Sequence, residues 1–373
     1  MNDKSVTLFA VGDIILKNED PESYFELVAP TLKKGDVVIG QGEIPYTKRP
    51  ERTTETISAE DPESMRAYIY SGFNVITLTG NHMWDAGVPG IEDTLTWLKT
   101  HDIAPVGTGM NIDEARCPAV IERKNTRVGI LSYNCVGPKE TWASPKKPGS
   151  AYVHVLTHYE LDHAVPGGTP IVYTFSDPDT LDAMLDDIRA LRAKCDVLVV
   201  SLHKGIIHTP AKLARYELDI SRAAIDAGAD LILGHHAHIL KGIEVYKGKV
   251  IFHGLNQLVA ILPQLAPKPG QDKNSWAQKR KRLYNFEPDP ENPNYPFHPD
   301  SKQTIIAKCV IDDKRISKVT YLPTLINKKG QPEILKHDER GQKIYDYMKR
   351  ISDEEDLKVQ FDWDGDEVLI TEP

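Results

Sequence analysis

The sequence predicts an α/β protein with one large core and additions, and two observations carry that reading. Short apolar runs of β-forming residues alternate with helical stretches along the first two thirds of the 373-residue chain. Five of those runs lead directly into side chains able to bind a cation, the arrangement by which α/β sheets place their chemistry at the carboxyl ends of strands.

Val6 to Val11 is the first such run, and it ends in Gly12-Asp13. Asp13 is thus a candidate ligand, although an aspartate there reads equally well as a cap on the next segment. Phe25 to Leu32 reads as a short helix, and Val37-Val38-Ile39-Gly40 as a second buried strand leading to Glu43. Asp61-Pro62 opens a helix that Gly72 closes. Val75 to Thr79 is the third strand, and its exit carries a carboxamide, Asn81, an imidazole, His82, and a carboxylate, Asp85. Met83 and Trp84 between them read as packing residues. Pro89 to Lys99 follows as a helix with Ile91, Leu95 and Leu98 on one face.

Val128 to Tyr133 is the fourth strand. Residues 138–170 read as irregular, because prolines and glycines interrupt any period, and His154, His158 and His163 within them read as solvated. Asp177-Pro178 starts an amphipathic helix with Leu181, Met184, Leu185, Ile188 and Leu191 on one face. Asp196 to Leu202 is the most apolar strand, and it hands over directly to His203. A helix over Ala211 to Ala227 stops at Gly228. The next strand then delivers Gly234-His235-His236-Ala237-His238, three imidazoles in four positions. His236 and His238 converge on one point if the backbone kinks at Ala237, which makes the cluster a candidate metal site. Val245 to Phe252 reads as a hairpin that leads to His253 and Asn256.

Residues 263–299 lack periodicity and carry Lys268, Lys273, Lys279, Arg280, Lys281 and Arg282, so they read as a structureless loop, either a solvated face or an anion-binding lid. Ile305 to Val310 and Val319 to Leu322 are expected to pair, Asp338 to Lys349 to form a helix, and Leu357 to Ile370 a terminal strand pair. The chain therefore divides into a core of residues 1–262, a loop insertion of residues 263–300, and a C-terminal α/β addition of residues 301–373.

With 40% hydrophobic and 27% charged residues the chain has the material for a buried core and a wetted surface. A net charge of −9 gives no field to draw it onto nucleic acid or an anionic membrane, so both are disfavoured as partners. The amino-terminal residues hold no apolar run of signal-peptide or membrane-span length, which points to a cytoplasmic protein. Four widely spaced cysteines without a CxxC pair are expected to be reduced thiols. Homo-oligomerisation stays open.

Taken together, Gly12-Asp13, Gly42-Glu43-Ile44-Pro45, Gly80-Asn81-His82-Met83-Trp84-Asp85, Ser201-Leu202-His203 and Gly234-His235-His236-Ala237-His238 resemble the calcineurin-like metallophosphatase superfamily. Within it they look like the CapA group, named for poly-γ-glutamate capsule synthesis, over about the first 260 residues. The resemblance implies a four-layer fold, a metallophosphatase-like β-sandwich of two mixed sheets flanked by helices, with a metal pair at the strand ends. It implies that Asp13 and His238 bind one metal, that Asn81, His203 and His236 bind the other, and that Glu43 bridges them. His82 would donate a proton, oriented by Asp85. Two departures stand out. Ile15 occupies the position where the superfamily usually has a histidine, and the runs after His203 and His253 differ from those of CapA relatives. The first leaves one metal site short of a protein ligand, so that a mononuclear site is open, and the runs after His203 and His253 fall where substrate would lie, which makes Lys204, His208, His253 and Asn256 candidate substrate-binding residues.

Carboxylate, carboxamide and imidazole donors without thiolates suit Mn²⁺ or Zn²⁺, with Fe or Co also compatible. One or two such ions that activate water give a metal-dependent hydrolase acting on an ester, amide or phosphoester of a small molecule or peptide. Few fixed cations are available to hold a phosphate. The same groups are compatible with an isomerase or lyase acting by proton abstraction, or with a non-catalytic protein of poly-γ-glutamate synthesis.

Overall fold

The computed structural model describes residues 4–17, 20–51, 59–160 and 170–373. The chain opens with four parallel strands, β1 (Val6–Ile15), β2 (Val37–Gly42), β3 (Val75–Thr77) and β4 (Ala104–Val106), with helix α1 (Gly87–Thr100) between the last two. It then crosses to a second sheet. There β5 (Ala119–Arg123) pairs antiparallel with β6 (Thr126–Asn134), and α2 (Pro178–Arg192) leads to β7 (Val197–Lys204). Helix α3 (Arg215–Ala227) leads to β8 (Leu231–His236), and the hairpin β9 (Leu240–Tyr246) and β10 (Lys249–Leu255) completes an order of β9-β10-β8-β7-β6-β5.

The chain returns to the first sheet through β11 (Gln257–Ala260), which lies parallel to β1 at its carboxyl end. After helix α4 (Lys273–Tyr284) it adds β12 (Gln303–Asp312) and β13 (Arg315–Ile326), then α5 (Glu339–Asp353), β14 (Gln360–Asp364) and β15 (Glu367–Thr371). β12 runs antiparallel to β1 itself, so residues 301–373 extend the first sheet along a shared edge. The sheet order is β14-β15-β13-β12-β1-β2-β3-β4.

Strand periodicity explains the layering, because successive side chains point to opposite faces. On β7, Val197 and Val199 join Val6, Leu8 and Leu231 in the core between the sheets, while Leu198 and Val200 pack outward with Met184 and Ile188 of α2 and Ile220 of α3. On β1, Phe9 and Val11 face outward with Ile91 and Leu95 of α1. Both sheets are thus covered on both faces, which is why their central strands are almost continuously apolar. The result is helix, sheet, sheet, helix.

Four expectations need correction. The helix over Phe25 to Leu32 is instead a 3₁₀ turn, Pro21–Phe25, followed by one helical turn, Ala29–Leu32. Pro30 lacks an amide hydrogen and is tolerated only in a first turn, so no continuous helix can pass through it. The helix expected from Ala211 starts at Arg215. The irregular stretch over 138–170 contains the strand Val155–Glu160, paired antiparallel with Ile171–Ser176. Its breakers mark strand boundaries. His158 is exposed, His154 lies 4.9 Å from the Trp142 ring, and His163 lies outside the described residues. Residues 263–299 contain α4, capped by Asp272, which accepts from the Ser275 amide at 2.7 Å. Only Trp276 and Ala277 of that helix are buried, so it has no apolar stripe to read.

The four cysteines are free thiols, Cys117 exposed and the others buried. Among the described residues no helix is long and apolar enough to cross a membrane.

Candidate metal centre

Two glycines set the close approach on which the centre depends. A Cβ at Gly12 would lie 2.2 Å from the carbonyl oxygen of Asn256, and one at Gly234 would lie 2.1 Å from that of His253. Only glycine lets β1 meet the β10–β11 junction and β8 meet β10 at these distances. Asp13 at the end of β1 therefore reaches across to the second sheet, where its Oδ2 accepts from the His236 amide at 3.0 Å.

Glu43 follows β2 directly and is fully buried, yet neither carboxylate oxygen has a hydrogen-bond partner. Its nearest cationic candidate is His203 Nε2, 3.6 Å from Oε1. Asn81 Oδ1 stands 3.0 Å from His203 Nε2 and 3.1 Å from His236 Nδ1. Glu43, His203 and His236 bring ligand atoms within 4.8 Å of one another. On the other side, His238 Nδ1 is 3.6 Å from Asp13 Oδ2 and 3.0 Å from Gln257 Oε1. The turn that aims these rings is made by the histidines themselves, with φ of 81° at His236 and 50° at His238, and not by a kink at Ala237. Left-handed backbone at a non-glycine residue costs on the order of 1 kcal/mol and persists where the surroundings enforce it.

His82 and Asp85 sit beside this cluster, with Nδ1 2.8 Å from Oδ2. The six residues Asp13, Glu43, Asn81, His203, His236 and His238, drawn from separate parts of the chain, thus converge at one end of the two sheets.

The electrostatics of the cluster are unresolved by the protein alone. Burial, then the charges of Asp13 and Asp85, push the Glu43 carboxyl well above its ordinary range. Burial and the neighbouring imidazoles hold His203 and His236 well below theirs. A carboxylate that resists ionising beside imidazoles that resist protonation is the situation a divalent cation relieves, since it needs carboxylate anion and neutral imidazole together. The unpartnered Glu43 oxygens and the mixed oxygen and nitrogen donor set fit such an ion.

The four candidate substrate residues are placed differently. Lys204 follows His203 on β7 and so points to the opposite face. There Nζ lies 3.3 Å from Glu217 Oε2 and 3.2 Å from His253 Nδ1, while His253 Nε2 lies 3.2 Å from Glu244 Oε2. Both residues are fully buried in this network and neither faces the centre. Asn256 is also a scaffold residue, its Nδ2 donating to the carbonyls of Ser301 and Gln303 at 2.7 Å each. His208 does stand at the centre. Its amide donates to the Ala237 carbonyl at 2.9 Å, its ring stacks at 5.7 Å on His238, and burial pushes its pKa down to about 2. Phe286 and Phe297 of the insertion pack 4.7 and 5.8 Å from that ring, and Phe297 lies 5.3 Å from His238.

Gln257 escaped the sequence reading, and His235 is read there only as one of three clustered imidazoles, with no role of its own. Gln257 bonds His238 and donates to Tyr295 Oη at 2.5 Å. Its position opposite Asp13 is set by the pairing of β11 with β1, which no local pattern announces. His235 is buried with Nδ1 3.4 Å from Asp13 Oδ1. Strand alternation through Leu231 and Leu233 was the available signal, because it aims His235 between the sheets.

By fold and site, this is a layered α/β protein with a candidate divalent-metal centre at its strand ends. The chain belongs to the family described as bacterial capsule synthesis protein PGA_cap, whose model matches residues 7–260. It is 27% identical over 271 residues to the capsule biosynthesis protein CapA of Bacillus anthracis, covering 69% of this chain and 60% of that protein. It is 28% identical over 261 residues to the PGA biosynthesis protein CapA of Bacillus subtilis, covering 67% and 62%. A probable polyglutamine synthesis accessory protein of Mycobacterium tuberculosis is 28% identical over 205 residues, covering 53% and 48%. The matches to the two CapA proteins thus span about 60% of their length. A solved calcineurin-like phosphoesterase from Bacillus subtilis aligns over 93% of this chain and 98% of its own, with 11% identity and a TM-score of 0.41.

Proposed function

We propose that the chain is a metal-dependent hydrolase of an ester, amide or phosphoester bond in a small molecule or peptide. The observation that carries this reading is the His82–Asp85 pair, 2.8 Å apart beside the ligand cluster. A cation site that only braces a fold has no use for a proton donor.

Glu43, Asn81, His203 and His236 would hold one Mn²⁺ or Zn²⁺, and Asp13 and His238 a second, with Glu43 between them. A cation bound there acidifies water and polarises a substrate oxygen. Asp85 occupies His82 Nδ1, which leaves Nε2 to deliver a proton to the leaving atom. The full burial of Asp13, Glu43 and His203 keeps bulk water from one wall of the reacting region.

Lys204, the cation nearest in sequence, is committed to Glu217 and His253. That removes Lys204 as the cation for a phosphate and leaves carbonyl-centred and phosphoester bonds both in the panel to be tested. Because the family is named for capsule synthesis and a relative for PGA, a glutamyl amide is the first substrate to try. Purified protein would be assayed against amide, lactone and phosphoester panels with Mn²⁺ or Zn²⁺, alongside elemental analysis. Metal-dependent turnover that His82→Ala lowers about 10²- to 10⁴-fold with metal content intact is the expected result, and full turnover in that variant ends the reading.

A second reading, a non-catalytic accessory of polyglutamate synthesis, is favoured by the description of the mycobacterial relative. It predicts that chelation lowers stability and that no panel yields turnover.

A further inference from the structure

We propose that His235 is a positioning residue of the centre, donating its Nδ1 hydrogen to Asp13 Oδ1 and thereby fixing the orientation of that carboxylate. The consequence for metal affinity rests on the metal reading above, whereas the contact itself does not.

On β8 the alternation Leu231, Leu233, His235 continues the row that lines the space between the sheets, and His235 pairs in register with His203 of β7. The ring is only 1% exposed, and neither of its nitrogens has a hydrogen-bond partner. Asp13 Oδ1 is also buried without a partner, and it lies 3.4 Å from His235 Nδ1. Two unmatched buried polar groups are each unfavourable, and a small ring rotation joins them into one charge-assisted bond.

The other oxygen of Asp13 is already engaged. Oδ2 accepts from the His236 amide at 3.0 Å and faces His238 Nδ1 at 3.6 Å. With Oδ2 turned toward the imidazole side, Oδ1 is the handle by which the carboxylate is held, and His235 is the side chain that reaches it. Outer donors of this kind set the orientation of a ligating group, and their loss lowers metal affinity about 10- to 100-fold.

The contact dictates where a hydrogen sits. The carboxylate oxygen accepts in this contact, so Nδ1 must carry a hydrogen. It also dictates which replacement works, because an asparagine amide nitrogen falls near the place of Nδ1 and a glutamine amide nitrogen near that of Nε2.

The test has two arms. In the metal-free protein, ¹⁵N NMR of His235 should report a hydrogen on Nδ1, and a bare Nδ1 overturns the proposal without any variant being made. Calorimetric titration with Mn²⁺ alone should show His235→Ala weakened about 10- to 100-fold, His235→Asn restored to near wild type and His235→Gln not restored. Unchanged affinity in His235→Ala, or equal rescue by glutamine and asparagine, overturns it. Circular dichroism establishes that each variant is folded. A wild-type chain that binds no Mn²⁺ or Zn²⁺ ends the metal reading, and the Nδ1 hydrogen then decides the His235–Asp13 contact by itself.

Discussion

His82 Nδ1 lies 2.8 Å from Asp85 Oδ2, with the histidine side chain 19% exposed and the aspartate side chain 4% exposed. The carboxylate is withdrawn from solvent and the ring presents its other nitrogen outward, so the pair is polarised from the interior toward the opening. Removal of a positioned proton donor lowers turnover about 10²- to 10⁴-fold, and that is the expected loss for His82→Ala. Asp85→Asn, which keeps the ring but loosens its orientation, should lose about 10- to 100-fold. Elemental analysis should find the same metal content in both variants as in the parent, since neither residue is placed as a ligand.

Lys204 is expected to matter for folding and not for substrate. Its ammonium is enclosed by Glu217 and His253, and burial lowers its pKa while Glu217 opposes the shift. Removing one member of a buried pair leaves the other charge uncompensated, which costs about 3–5 kcal/mol. Lys204→Ala should therefore lower the unfolding free energy by that amount, read from denaturant titration, and Lys204→Met with Glu217→Met should recover most of the loss. A raised KM with unchanged stability in Lys204→Ala would return the residue to the substrate.

Much of the centre was legible because its donors leave strands. Asp13, Glu43, His203 and His236 each follow an apolar run that the sequence displays plainly, and the strand ends meet because parallel strands share a direction. What could not be read was which face each neighbour takes once the strand is placed. His203 and Lys204 differ by one position, and that single step separates the centre from a buried ion network. The polar helix Lys273–Tyr284 was invisible for a different reason, since a helix anchored by Trp276 and Ala277 carries no apolar period.

Acid should destabilise the metal-free chain, with His253 as one measurable cause. Burial and then the Lys204 charge bring its pKa down to about 4 from the ordinary 6.5. Below about pH 6.5 the unfolded chain takes up a proton that the folded chain refuses until about pH 4. Stability is therefore complete above the first value and falls through the interval, by on the order of 3 kcal/mol. Denaturant midpoints measured in chelator across that range should drop, and the drop should be smaller in His253→Gln. An identical pH dependence in the variant would remove His253 as a cause.

Glu43 has the opposite sign, and its replacement separates function from stability most sharply. Burial, with Asp13 and Asp85, holds its folded pKa well above the ordinary 4.5, so the folded chain keeps a proton that the unfolded chain releases. In the metal-free protein this contribution to stability is present below about pH 4.5 and is lost as pH rises toward the raised value. Glu43→Gln removes the ionisation while preserving shape. In chelator at neutral pH the variant should be more stable than the parent by about 1–3 kcal/mol, because no buried, unpartnered carboxylate remains. Saturating Mn²⁺ should reverse the order, since the parent gains stability from an ion that the variant binds poorly. Denaturation midpoints of both proteins, with and without Mn²⁺, supply the four numbers required. A variant less stable than the parent in chelator would mean that Glu43 is satisfied without a cation, and the fit of the centre to a metal would then fail.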